Sequence, residues 1–228
     1  MGPDAMLFPV SPWDLGLAAP AEPVLRRMLR RAKVDERSKV LDLGCSRGEL
    51  SLFVAREFQC AVTGVDEDAA SLEALRNAGL QTHVGRFDQV GELAGFNAVL
   101  LCRKLVAGFR PAAEAARRQL LPNGHLIIGY PAFASRFVPA DTLQLWRKRL
   151  GEPLRPPQEL LGILAQLGFE PEAIELLEDP ILEASYAAQE SSAEASAGSN
   201  RSSAVRFTVV CARKKDPNEK PPSSPRRR

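Results

Sequence analysis

The sequence predicts an α/β fold, a parallel sheet with helices packed on both of its faces. Strand-like and helix-like patterns alternate with short breaks from Lys39 to about Pro131. The strand-like segments are short, nearly continuous apolar runs, as expected for strands covered on both sides. In "VLDLGCSRGELSLFVA", residues 40–55, such a run passes into a helical pattern through a turn with two glycines. A chain of 228 residues with 45% hydrophobic content can bury a sizeable core. It reads as one domain over 39–215, preceded by an arm or lid at 1–38 and followed by a disordered basic tail at 216–228.

The strands expected in order are "KVLDLG", "AVTGVD", "THVGRF", "NAVLLC" and "HLIIGY". Between the first two, "GELSLFVAREF" carries Leu50, Phe53 and Val54 at helical spacing. "DAASLEALRNAG" is read as a helix from Asp68, stopped by Gly79. "PAAEAARRQLLPNG" begins with Pro111 and turns at Pro122–Asn123–Gly124 into the fifth strand. The alternation then lapses over an insertion at about 132–156, placed where loops cover strand ends and ligands bind. "PPQELLGILAQLGF" resumes a helix, and "EAIELL" and "AVRFTVVCARK" read as two further strands. The Ser/Ala/Glu-rich part of their connection, about 189–203, is expected to be a flexible loop.

Composition excludes several classes. No apolar run approaches the roughly 20 residues needed to span a bilayer, and the first residues lack a basic start followed by an apolar core. A cytoplasmic protein is expected. Cys45, Cys60, Cys102 and Cys211 form no C-x-x-C pair, and His83 and His125 are the only histidines. Neither a metal site nor a disulfide frame is expected, and the cysteines read as small buried hydrophobes, with thiol chemistry at Cys102 the alternative. The net charge of +2 divides unevenly. Residues 213–228 hold seven basic and two acidic side chains, a net of +5, which leaves −3 on residues 1–212. A mildly acidic body does not suit a nucleic-acid-binding domain, although the tail could touch polyanions.

The turn after the first strand decides the ligand class. Gly44 and Gly48 allow positive φ and close approach of main chain to a ligand, and the helix that follows offers unpaired N–H groups. The dinucleotide fingerprint G-x-G-x-x-G fails, because position 46 is Ser and position 49 is Glu. Asp42, two residues before the first glycine, faces a pyrophosphate badly and suits a cationic ligand instead. S-adenosylmethionine carries both a sulfonium and an α-amino group. Asp66 lies eighteen residues after Gly48 at the end of the next strand, where a carboxylate can accept from both ribose hydroxyls. Its alternative is a solvated turn acid or helix cap, a part for which Asp68 is the better candidate.

With these residues the sequence resembles the class I S-adenosylmethionine-dependent methyltransferase family. The resemblance covers about Val40 to Lys215 and is strongest over "VLDLGCSRGEL" and "VTGVDED". It implies a Rossmann-like three-layer sandwich with a seven-stranded, mostly parallel sheet of order 3-2-1-4-5-7-6, "AVRFTVVCARK" being the antiparallel seventh strand. It also implies that the loop from Gly44 through Cys45 and Ser46 to Gly48 lies along the methionine and ribose of the cofactor. Asp42 would stand near the amino group, and Asp66, with Glu67 beside it, would hold the ribose. Ser46 departs from the glycine most common in mid-loop. Members often carry Gly-Asp after the third strand, whereas here Gly85 is followed by Arg86 and Asp88 comes later. Either Asp88 takes the adenine amino group with Phe87 against the ring, or main chain alone reads that edge. Phe87 as core and Asp88 as a helix cap remain the other reading. "FNAVLLCRKL" matches the fourth strand, with Asn97 where Asp is frequent and Cys102, Arg103 and Lys104 beside the reactive methyl.

Methyl transfer asks chiefly for in-line placement of a nucleophile, with a base only when that nucleophile carries a proton. His83 and His125 read as structural. Tyr130, at the end of the fifth strand, is the best placed catalytic candidate, with a buried core tyrosine as its alternative. The Asn/Asp-Pro-Pro-aromatic motif of nucleic-acid amino-methyltransferases is absent after strand four, as is the acid cluster of the metal-dependent catechol type. Phe8, Trp13, Phe133, Phe137 and Trp146 are candidates for an aromatic acceptor pocket or for ordinary packing, and Arg103, Lys104 and Arg136 could meet an acidic acceptor. The reading that results is an enzyme transferring a methyl group to an O or N of a small organic acceptor. Its rivals are an RNA or protein methyltransferase tethered by the tail and a non-catalytic binding protein of the same fold.

Overall fold

The computed structural model describes residues 18–87, 89–91, 93–102, 108–133, 138–177 and 205–218. Thirteen elements follow in the order α1 (Ala18–Arg31), β1 (Lys39–Leu43), α2 (Glu49–Phe58), β2 (Ala61–Asp66), α3 (Glu73–Asn77), β3 (Gln81–Val84), β4 (Phe96–Leu101), α4 (Phe109–Gln119), β5 (Leu120–Phe133), α5 (Ala140–Leu150), α6 (Pro157–Gln166), β6 (Phe169–Leu176) and β7 (Val205–Lys214). The sheet has the order β3-β2-β1-β4-β5-β7-β6. Strands β1 to β5 are parallel, and β7 runs antiparallel between β5 and β6. This is the seven-stranded, Rossmann-like sheet that the family resemblance implies.

Alternation along the strands divides the core into two layers. Val40, Ala98, Leu100, Ile127, Val209 and Cys211 turn to the face covered by α1 and α2. Leu41, Leu43, Val99, Leu101, Leu126 and Ile128 turn to the face covered by α4 and α6. Helix α1 lies within the stretch expected to be an arm, yet Leu25, Met28 and Leu29 are fully buried in the first layer. It carries an internal proline, Pro23, which hides its helical pattern from propensity reasoning.

Strand β6 begins at Phe169 rather than Glu172 and α4 at Phe109 rather than Pro111, and three further boundaries differ for visible reasons. Helix α3 begins at Glu73 rather than Asp68, because Asp68 accepts the Ala70 N–H at 3.0 Å and the Ser71 hydroxyl at 2.7 Å, holding a local turn there. Strand β3 ends at Val84, where pairing with Asp66 ends. Strand β5 starts at Leu120, paired with Phe96, so Pro122–Asn123–Gly124 forms an irregularity inside a long strand rather than a separating turn. The loop expected at 189–203 and the tail from Glu219 onward lie outside the described residues.

Candidate functional site

The strand order reverses between β1 and β4, which leaves a crevice beyond their carboxyl ends. The turn from β1 to α2 lines one side of it and is anchored to β2. The Gly44 and Cys45 N–H groups both donate to the Val65 carbonyl, at 2.8 and 2.9 Å, and Gly48 N–H donates to the Cys45 carbonyl at 2.9 Å. Gly44, Ser46 and Gly48 all take positive φ, at 74°, 48° and 78°. For Ser46 that conformation costs on the order of 1–2 kcal/mol. Its N–H donates to Asp66 Oδ2 at 2.8 Å, which offsets part of that cost.

The two glycines serve different ends. A Cβ on Gly48 would stand 2.3 Å from Leu75 Cδ2, so this glycine lets the turn close over α3. A Cβ on Gly44 would meet no atom within 4 Å, so the main chain there faces open space. Helix α2 has no side-chain cap at its start, and Gly48 is its N-cap residue. The start of α2 thus stands at the same end of the sheet as the loop.

Asp66, at the end of β2, stands directly against the loop. Its Oδ2 takes the Ser46 N–H, and its Oδ1 takes the Asp68 N–H at 2.9 Å. A carboxylate offers about four acceptor positions, so two such bonds leave room for ligand hydroxyls. Asp66 is partly exposed, and Glu67 beside it is exposed. Asp42 is fully buried beneath the loop, its Oδ2 accepting the Ser51 hydroxyl at 2.6 Å. The spacing of Asp42, Gly44, Gly48 and Asp66 thus brings a carboxylate, an open glycine and a helix start to one end of the sheet.

Other candidates turn inward. The Cys45 side chain packs with Leu72 and Leu75, and the Cys102 thiol lies in the first core layer, 3.9 Å from the Ile127 carbonyl that accepts from it. Neither thiol side chain is exposed. Phe87 is partly buried against the second core layer. Trp146 is buried with Leu154 and Val205, and the partly buried Phe133 packs against them, so these aromatics cement the insertion to β5 and β7. Trp13, Asp88, Arg103, Lys104, Arg136, Phe8 and Phe137 lie outside the described residues.

Tyr130 is also turned into the fold. It is buried, meets Phe109 edge-on at a centroid distance of 5.2 Å, and donates its hydroxyl to Glu152 Oε1 at 2.5 Å. The same carboxylate oxygen takes the Phe109 N–H at the start of α4, at 2.7 Å, and Arg155 stands 3.7 Å from Oε2. Burial, reinforced by the bond to Glu152, pushes the Tyr130 phenol far above its ordinary range. Its phenolate is therefore disfavoured as a base. Glu152 is a residue that sequence reasoning missed, because its partners are β5 and α4 side and main chain far away in sequence. His125 sits at the opposite end of the sheet, 3.3 Å from Glu172, and burial pushes its imidazolium below the ordinary histidine value although Glu172 opposes this.

Among the described residues no group of three or more His, Cys, Asp and Glu side chains could hold a metal ion. No described helix is long and apolar enough to cross a membrane.

The sheet order is that of the Rossmann-like methyltransferase fold, and the chain resembles the class I S-adenosylmethionine-dependent methyltransferases. Residues 40–124, which span β1 to the irregularity in β5, match the family described as a methyltransferase domain. The geranyl diphosphate C-methyltransferase of Streptomyces coelicolor A3(2), solved with Mg2+, geranyl diphosphate and S-adenosyl-L-homocysteine, superposes with a TM-score of 0.64 at 16% identity, covering 85% of this chain and 80% of that one. A methyltransferase from Thiobacillus denitrificans in complex with S-adenosyl-L-homocysteine gives 0.65 at 17%, over 83% and 89% of the two chains. The (4+2)-cyclase SpnF gives 0.65 at 20%, over 86% and 82%. At these identities the likeness is one of fold. No curated protein matches the sequence.

Proposed function

We propose that the chain is an S-adenosylmethionine-dependent methyltransferase whose cofactor lies in the crevice beyond β1 and β2. The observation that carries this reading is the pairing of Gly44, open above its main chain, with Asp66, whose carboxylate is held in place by Ser46 and Asp68 N–H groups. These residues fit the group. Asp66 would accept from the ribose hydroxyls, the main chain from Gly44 to Gly48 would lie along the ribose and methionine, and Asp42 would supply negative charge beneath the loop. Bound there, S-adenosylmethionine supplies an electrophilic methyl on sulfur.

The acceptor in this reading is a small organic molecule with a nucleophilic oxygen or nitrogen. The insertion supports a small acceptor, since α5 is fastened over the ends of β5 and β7 by Trp146, Leu154 and Val205. The chain's own part is then to bind, orient and exclude water, which is where most of the rate of such a transfer arises. A second reading, that the fold serves something other than methyl transfer, draws on the engagement of Tyr130 by Glu152 and on the likeness to a cyclase.

Calorimetric titration with S-adenosylmethionine and S-adenosyl-L-homocysteine, on the wild type and on Asp66→Ala, tests the cofactor. Micromolar binding that weakens at least about tenfold in the variant is expected, a loss of about 1.4 kcal/mol. Folded wild type that binds neither compound contradicts the proposal. Incubation with a panel of hydroxyl, amine and activated-carbon acceptors, read by mass spectrometry, then separates the acceptor classes. Tight cofactor binding without turnover on any of them favours the second reading.

A further inference from the structure

The contact between Ser51 and Asp42 spans the whole cofactor loop. Asp42 is the fourth residue of β1, in register with Gly64 of β2 and Leu100 of β4, and its side chain turns to the α2 face of the sheet. Ser51 is the third residue of α2, and its hydroxyl donates to Asp42 Oδ2 at 2.6 Å. Both residues are 0% exposed. Every loop residue, Gly44 to Gly48, lies between these two partners in the chain.

A buried carboxylate needs donors, and a hydroxyl bonded to one is shorter and stronger than a neutral pair. The bond therefore does more than satisfy Asp42. It ties the first turn of α2 to the end of β1 and so fixes the span that the loop must cross. Within that span the loop takes three left-handed residues, and the Ser46 N–H must meet Asp66 Oδ2 at 2.8 Å. A change in the distance between strand end and helix start reaches the loop directly, because only Ser46 and Arg47 lie between its anchors at Cys45 and Gly48.

Resting on the function proposed above, we infer that Ser51 is a positioning residue for the cofactor crevice. Its hydroxyl orients Asp42 and sets the loop to receive the ligand without touching the ligand itself. The packing face of α2 does not require a hydroxyl at this position, since its neighbours Leu50, Phe53 and Val54 are apolar core.

The test is the dissociation constant of S-adenosyl-L-homocysteine, by calorimetry, for wild type, Ser51→Ala, Ser51→Cys, Asp42→Asn and the double variant, each at a temperature well below its own unfolding midpoint. Ser51→Ala is expected to weaken binding about tenfold and Ser51→Cys, a weaker donor of similar shape, by a smaller factor. In the Asp42→Asn background the alanine change is expected to cost less than about threefold more, since its target is already altered. A purely structural role lowers the unfolding midpoint but leaves the dissociation constant of the folded variants within twofold of wild type, and that result overturns the inference. If Ser51→Ala does not fold, the cysteine variant decides in the same way. Wild type that binds no S-adenosyl-L-homocysteine overturns the function as well, whereas binding by wild type with unchanged affinity in the serine variants overturns only the positioning role.

Discussion

Replacing Gly48 by alanine tests the packing that shapes the loop. The new methyl would fall 2.3 Å from Leu75 Cδ2 and 2.4 Å from Cγ, on a residue whose φ is 78°. Two costs add. Placing an L-residue in the left-handed region costs about 1–2 kcal/mol, and forcing a methyl into a packed core costs about 1–3 kcal/mol. Leu75 is fully buried and is also within 2.5 Å of where a Cβ on Gly64 would stand, so it has little room to retreat. A total of about 2–5 kcal/mol follows, to be measured by urea unfolding with circular dichroism. The partner experiment is the same change in a Leu75→Ala background. That background is itself weakened by about 2–5 kcal/mol, but the methyl now enters a cavity, and only the conformational cost of about 1–2 kcal/mol should remain. Equal costs in the two backgrounds would refute the claim that Gly48 is there to admit Leu75.

Gly44→Ala separates binding from packing: it should cost only the left-handed penalty of about 1–2 kcal/mol in stability, yet weaken S-adenosyl-L-homocysteine binding strongly, because its methyl enters open space on the ligand side. Tyr130→Phe is expected to lower stability by about 1–3 kcal/mol through loss of a donor to Glu152, and Glu152→Ala by at least as much, since it strips both the Tyr130 hydroxyl and the Phe109 N–H. Cofactor affinity of Tyr130→Phe should stay near wild type. For His125 the folded imidazole resists protonation because burial outweighs Glu172, so the unfolded chain binds more protons below its ordinary value near 6.5. Its contribution is therefore present above pH about 6.5 and is lost as pH falls from there through the lower folded value; His125→Gln should flatten that part of a stability-against-pH curve.

Much of the fold was legible because both-face burial writes a plain signal. "KVLDLG", "AVTGVD" and "NAVLLC" are apolar runs that fall on β1, β2 and β4 to within one residue. Leu25, Met28, Leu29 and Ala32 stand at helical spacing and carry the signal of α1, which starts at a proline-containing stretch unusual for a helix. Asp68 misled in the other direction. It looks like a cap for a long helix and instead closes a turn upon itself. The placement of the loop and Asp66 together at the carboxyl ends of β1 and β2 was readable from the strand ends themselves. Burial of Cys102 agrees with its reading as a small hydrophobe, and Tyr130, inside β5 rather than at its end, takes the buried alternative rather than the catalytic one because a tertiary partner receives its hydroxyl. For Tyr130 that partner is Glu152, twenty-two residues on and in the irregular insertion.

The most direct measurement of the central claim is hydrogen–deuterium exchange of the full chain with and without S-adenosyl-L-homocysteine. Slower exchange confined to peptides covering Gly44 to Leu50 and Asp66 to Asp68 is predicted, since those are the main-chain groups lining the crevice. Protection that appears elsewhere with these segments unchanged, or no protection at saturating ligand, would contradict the assignment of that crevice to the cofactor.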